Sequence, residues 1–140
     1  MLARITFSEF RDRLNESDVA RGCFSYDAKQ LIYSHLNEDE NYIMQSPCDI
    51  ACEWAESTYE DLKNDWDYDE SFCQIYKDVQ QWCDGETTES QYNSSIIARV
   101  ADWLSEKTIY LGVANRGEDD ELNNYNSDLQ TTTFIYAKNF

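Results

Sequence analysis

A single histidine, five cysteines and a crowd of carboxylates are the side chains of this sequence with reactive chemistry to offer. His35 sits between Ser34 and Leu36 in a segment of helical pattern, without a nucleophile motif beside it. It reads as a partly exposed helical histidine rather than a general base. Cys48 and Cys52 are spaced i, i+4, so on a helix their thiols share a face and would reach a metal with His35 or Cys73. Yet no Cys-x-x-Cys pair is present, and a free cysteine is commonly a small core residue, so no metal site is expected. Asp65, Asp67 and Asp69 alternate like the start of a calcium loop, but Glu70 stands where that loop needs glycine and Tyr76 where it needs a bidentate glutamate. Paired carboxylates carry no glycosidase signal where almost any two acids can be matched. The glycines form no phosphate-cradling loop. The residues therefore predict no catalysis, no cofactor and no resident metal.

What remains is charge. From Glu38 to Glu70 the acids are Glu38, Asp39, Glu40, Asp49, Glu53, Glu56, Glu60, Asp61, Asp65, Asp67, Asp69 and Glu70, against the single base Lys63. Helical carboxylates three or four residues apart lie ~5–6 Å from one another, so Asp49, Glu53, Glu56 and Glu60 would form a row. Duplex DNA carries a charge about every 1.7 Å of its axis and is held by Lys and Arg, so a rigid row of carboxylates can occupy the same basic channel. The competing reading is an over-acidic surface that keeps the chain soluble. Trp66, Tyr68 and Tyr59 lie among these acids and would supply aromatic anchors within a charged rim.

The totals bound both readings. The chain has 140 residues, 28 acids, 11 bases and a net charge of −17, yet 41% of it is hydrophobic. That length suits one domain spanning residues 1–140, and that apolar content is unlike a disordered acidic tail. The field repels nucleic acid and anionic membranes and attracts proteins that bind nucleic acid. No run approaches the roughly 18 apolar residues of a membrane span. Met1-Leu-Ala-Arg is followed by no apolar signal region, and the cysteines are odd in number, which predicts reduced thiols and a cytoplasmic setting.

The elements that must position these acids follow from pattern. Thr6 with Glu9 has the form of a capping box before a helix over Phe7 to Leu14, and Ser25 caps a second helix carrying Ala28, Leu31, Ile32 and Leu36. Ser46-Pro47 opens a third over Pro47 to Glu56, with Ile50, Ala51, Trp54 and Ala55 as its buried stripe. Thr58 and Asp61 start a short turn with Tyr59, Leu62 and Trp66. Phe72, Ile75, Tyr76, Val79 and Trp82 then recur at helical spacing as far as Gly85, a candidate C-terminal cap. Polar Glu86 to Ser95 connects to a helix over Ile96, Ile97, Val100, Trp103 and Leu104.

Thr108 to Ala114 and Thr131 to Ala137 are β-branched and aromatic and read as antiparallel strands, with a polar loop from Asn115 to Asp128 between them. A lone hairpin is marginal in water, so it must lie on helices, with Leu2 to Ile5 as a candidate third strand. The expected fold is α+β, mostly helical, with a C-terminal antiparallel β-hairpin packed on helices.

Two stretches carry a resemblance. Phe24-Ser-Tyr-Asp-Ala-Lys-Gln-Leu-Ile-Tyr-Ser-His-Leu-Asn-Glu-Asp-Glu, then Cys48-Asp-Ile-Ala-Cys-Glu-Trp-Ala-Glu with Tyr59 and Leu62, and the final strand from Thr131 together resemble small acidic proteins of phages and mobile elements. The region Phe72 to Lys107 and the long loop depart from that pattern. The resemblance implies an anti-defence role of the anti-CRISPR or anti-restriction kind in a host cytoplasm, and transfers no functional residue.

The expected function is thus a non-enzymatic inhibitor that binds a CRISPR-Cas effector or restriction enzyme and excludes DNA. Its partner surface comprises Glu38, Asp39, Glu40, Asp49, Glu53, Glu56, Glu60, Asp61, Asp65, Trp66, Asp67, Asp69 and Glu70. The alternative is a small acidic module that regulates some other basic protein.

Overall fold

Every residue from Thr132 to Ala137 is buried, so this one strand needs cover on both faces and a hydrogen-bonded neighbour on both edges. The molecule supplies all four. The computed structural model describes residues 5–38, 46–115, 129, 131–138 and 140. In chain order they form α1 (Phe7–Glu16), α2 (Tyr26–Leu36), α3 (Pro47–Glu53), β1 (Trp54–Thr58), α4 (Tyr59–Asp65), α5 (Glu70–Trp82), α6 (Glu89–Lys107), β2 (Tyr110–Asn115) and β3 (Thr132–Ala137). The sheet runs β1-β3-β2 with both pairs antiparallel, which makes an α+β fold with the expected C-terminal strand pair.

Because side chains alternate across a strand, β3 feeds two cores. Ile135 and Ala137 pack with Phe10, Leu14, Ala28, Ile32, Ile50 and Trp54, the layer of α1 to α3. Phe134 and Tyr136 pack with Leu62, Phe72, Ile75, Val79, Ile96, Val100, Trp103 and Leu104, the layer of α4 to α6. The result is a helix–sheet–helix sandwich. Full burial of a side chain such as Phe134 or Ile135 contributes ~1.5–3 kcal/mol, so β3 holds both layers to one sheet.

Local signals set most boundaries. Thr6 and Glu9 form the anticipated capping box, Ser25 caps α2 through the Ala28 amide, and Ser46 caps α3 ahead of Pro47. Thr58 and Asp61 form a second capping box at α4. In β2 a bulge falls between Tyr110 and Gly112. Gly112 has φ +142°, a backbone conformation that L side chains rarely adopt, so glycine permits the bulge; a Cβ there would meet a Leu31 methyl at an ordinary contact distance of 3.5 Å.

Four expectations need correction or relocation. The third helix does not reach Glu56: it stops at Glu53, and Trp54–Thr58 form β1, paired from Trp54↔Ala137 to Thr58↔Thr133. The open edge of β3 needs a partner, and this long-range demand overrides a helical spacing of Ile50, Ala51, Trp54 and Ala55 that is only local. The third strand is therefore β1; Leu2 to Arg4 lie outside the described residues, as do Arg116 to Asp128 of the expected loop. Gly85 is not the helix cap, since α5 ends at Trp82 and is capped by Cys83, whose amide donates to the Val79 carbonyl. The stretch from Glu89 to Ser95 is helix rather than connection, started by a Thr88–Gln91 capping box.

Candidate protein-interaction surface

The expected row of carboxylates is split among three elements. Asp49 and Glu53 are exposed on α3, Glu56 lies on β1, and Glu60 is exposed on α4. With the helix ended at Glu53 the i, i+4 arithmetic no longer applies beyond it, so Asp49, Glu53, Glu56 and Glu60 do not form one helical ladder.

Glu56 in particular is drawn inward. Its Oε1 accepts from the Ser25 amide at 2.6 Å, and its Oε2 accepts from Ser25 Oγ at 2.7 Å and from Thr133 Oγ1 at 2.6 Å. Ser25 Oγ in turn accepts from the Ala28 amide, so Glu56 extends the cap of α2 and ties it to β1 and β3. A negative group at that helix start also suits the macrodipole. Close by, Lys29 has a buried stem and donates from Nζ to Asn15 Oδ1 at 2.7 Å. Burial pushes its pKa down, the Arg11 charge adds to that, and the Glu56 carboxylate opposes it.

The remaining acids divide by role. Asp69 is the N-cap of α5, accepting from the amides of Ser71 at 2.8 Å and Phe72 at 3.3 Å. The Ser71 hydroxyl, with help from those amides and Lys107, holds its carboxyl below the usual range. Asp69 is thus engaged at a helix start, and the Asp65, Asp67, Asp69 series runs from the end of α4 through a turn to the α5 cap rather than around a cation loop. Asp61 closes the α4 capping box through the Thr58 amide. Glu38, Glu60, Asp61, Asp65, Asp67 and Glu70 are exposed, while Asp39 and Glu40 lie outside the described residues. The ion pairs Arg11–Asp12, Arg21–Asp18 and Arg99–Asp78 lie elsewhere on the described residues and involve none of Glu38, Glu60, Asp61, Asp65, Asp67 and Glu70.

The aromatics sort unexpectedly. Tyr59 is half-buried against Phe72, and burial pushes its phenol up to about 12. Tyr68 is 73% exposed and tilts against Trp66 with ring centroids 5.8 Å apart. Trp66 stacks on Phe140 at 4.9 Å and meets Trp103 edge-on at 5.4 Å. Together Trp66, Phe140 and Tyr136 edge a cleft of about 310 Å³ that also takes in Asp65, Ser57 and Lys138. A second cleft of about 290 Å³ lies between α5 and α6 beside Trp82, whose side chain is 63% exposed, and the Asp78–Arg99 pair. Phe140, Tyr136, Ser57 and Trp82 carry no partner-binding signal in sequence. Tyr136 and Trp82 read there as strand and helix core, and only chain crossing brings Phe140 to Trp66.

His35 lies half-buried with its ring 5.3 Å from that of Trp54, as a helical histidine would. All five cysteines are free thiols. Cys52 beside Cys48 raises the Cys48 pKa. Among the described residues no three His, Cys, Asp or Glu side chains converge as a metal group, and no helix is long and apolar enough to cross a membrane. The chain matches no family model, no curated protein and no solved structure.

Proposed function

We propose that this protein is a non-enzymatic inhibitor that occupies the Lys/Arg-lined groove of a nucleic-acid-binding defence effector, a CRISPR-Cas complex or a restriction enzyme, and so excludes DNA. The observation that carries it is the exposed set Glu60, Asp61, Asp65, Asp67 and Glu70, which has no ion-pair partner among the described residues, on a folded chain of net charge −17. The carboxylates on α4 and at the start of α5 are carried by helices packed on a sheet, so their positions are held before a partner arrives, and less ordering cost is met on binding. Long-range attraction speeds encounter, and aromatic contacts at Trp66 and Tyr68 lengthen residence. The phage or mobile-element setting rests on the resemblance described above.

A second reading is favoured by Glu56. With one carboxylate of the expected row turned into the fold, a ladder matched to phosphate spacing gives way to a discrete acidic patch with an aromatic edge, which suits a regulator of a single basic protein. One experiment separates the two. Effectors captured from bacteria carrying CRISPR and restriction systems are purified and tested for DNA retention in a gel shift as this protein is added. Displacement of DNA that weakens as salt rises supports inhibition by occupation. Capture of an effector that keeps its DNA overturns it, and capture of one small basic protein without DNA-binding activity favours the second reading.

A further inference from the structure

The cleft beside Asp65 has a composition that constrains its occupant. Its walls are the Trp66–Phe140 stack and the Tyr136 ring, whose centroid lies 5.9 Å from that of Phe140. Among the lining residues Ser57 Oγ and the Tyr136 hydroxyl share a hydrogen bond of 2.9 Å, which uses one hydroxyl proton and leaves oxygen lone pairs as acceptors. Burial raises the Tyr136 pKa, the Ser57 hydrogen bond works against that, and the Asp65 and Asp61 carboxylates add smaller upward pushes. Lys138 is the cation among the described lining residues, its Nζ donating to the Ala51 carbonyl at 2.8 Å; that neutral acceptor leaves its charge in place, so the two carboxylates Asp65 and Asp61 outweigh one ammonium and the local balance stays negative.

An apolar occupant would cover Asp65 without compensating its charge, which is costly. An anion would meet Asp65 and Asp61 with like charge. An ammonium would satisfy a carboxylate but lacks a flat face for the aromatic walls. A guanidinium has five in-plane donors for Asp65 and the hydroxyl pair, a planar face for the aromatic carbon, and weaker hydration than an ammonium.

We infer that this cleft is a receptor for one arginine side chain of the basic partner, a deepening that rests on the reading of function given above. Asp65 is the charged acceptor, Ser57 and Tyr136 supply hydroxyl acceptors, and Trp66 with Phe140 forms the apolar wall. Asp61, one helical turn before Asp65, strengthens the local field. The remaining exposed acids of α4 and α5 steer the partner, while the cleft selects arginine over lysine.

The test uses the full chain, ¹⁵N-labelled, titrated with N-acetyl-arginine amide and separately with N-acetyl-lysine amide, following the tryptophan indole resonances. A Trp66→Phe spectrum identifies the Trp66 signal. The expected result is saturable movement of the Trp66 indole by the arginine compound, which binds about fivefold or more tightly than the lysine compound. Asp65→Asn should weaken arginine binding about fivefold, the scale of one good ion pair, whereas Glu106→Gln should leave it unchanged. Both substitutions are at exposed positions and keep side-chain size, so loss of fold does not cloud the comparison. Equal affinity for the two compounds, shifts scattered over the acidic surface, or an Asp65→Asn protein that binds like the parent would each overturn the inference. If it falls while the protein still displaces DNA from an effector, it falls alone. If arginine binds as expected and no effector loses DNA, the inference stands and the inhibitor reading fails.

Discussion

Glu56 and Asp65 belong to the same acidic stretch, yet the sheet separates what they do. Glu56 turns toward the layer of α1 to α3 and accepts three hydrogen bonds from Ser25 and Thr133, becoming part of what holds α2 to β1 and β3. Asp65 stands exposed at the end of α4, on the other layer, beside an aromatic cleft. Two identical charges therefore differ in consequence: one is a structural acceptor that ties the start of α2 to β3, the other a surface group available to a partner. A high acid count alone says nothing about which acids are free to bind.

The largest expected effect tests that contrast directly. Glu56→Ala should destabilise the fold by ~1–3 kcal/mol, because it removes the acceptor of the Ser25 amide and hydroxyl and leaves the Thr133 hydroxyl only its longer bond to the Ala114 carbonyl at 3.2 Å, while Asp65→Ala should stay within ~0.5 kcal/mol. Urea unfolding of both variants measures it. Similar small losses for the two would erase the distinction.

Next in size is an alkaline effect confined to the layer of α4 to α6. Tyr59 and Tyr110 are held protonated up to about 12 by burial, against an ordinary value near 10. Between those limits the folded state binds more protons than the unfolded chain, so stability falls as pH rises from about 10 towards about 12. Thermal melts across that range should show a declining Tm together with late phenolate absorbance. Phenolate appearing near pH 10 in the still-folded protein would contradict the burial of these rings.

A smaller effect concerns binding. Amides at Glu60, Asp61, Asp65 and Glu70 should slow association with a basic partner and flatten its salt dependence, each exposed pair being worth ~0.2–1 kcal/mol. Amides at the exposed Glu16, Glu86, Glu89 and Glu106 remove the same charge elsewhere and should matter less. Stopped-flow association rates decide the matter, since equal slowing from both sets means diffuse attraction. The smallest expected signal is none at all: the purified protein should not shift DNA or RNA in a gel at moderate salt, because its field has the sign of the phosphates. Saturable micromolar binding would remove the basis for assigning it a basic partner.

Much of the fold could be read residue by residue. The caps at Thr6, Ser25, Ser46 and Thr58 mark where four helices begin, because a hydroxyl three residues before an unpaired amide is a local device. Thr88-x-x-Gln91 was equally legible and marks the true start of α6. The C-terminal strand pair declared itself through β-branched and aromatic runs. The site was less legible: the acids are plain in the sequence, but their division into caps, a buried acceptor and an exposed patch is not.

What the chain determines by itself is its charge, the alternation in β3 and the hydroxyl caps, all properties of single residues or near neighbours. What tertiary structure decided is the fate of Trp54 to Thr58, whose helical periodicity yielded to the unpaired edge of β3, and with it the orientation of Glu56. The same long-range pairing carries the chain end past β3 so that Phe140 stacks on Trp66 and, with Tyr136 and Asp65, closes a cleft from residues far apart in sequence. The reason is common to both: a strand edge or an aromatic face is satisfied by whatever element the fold brings to it, and that partner is not written within hydrogen-bonding distance along the chain.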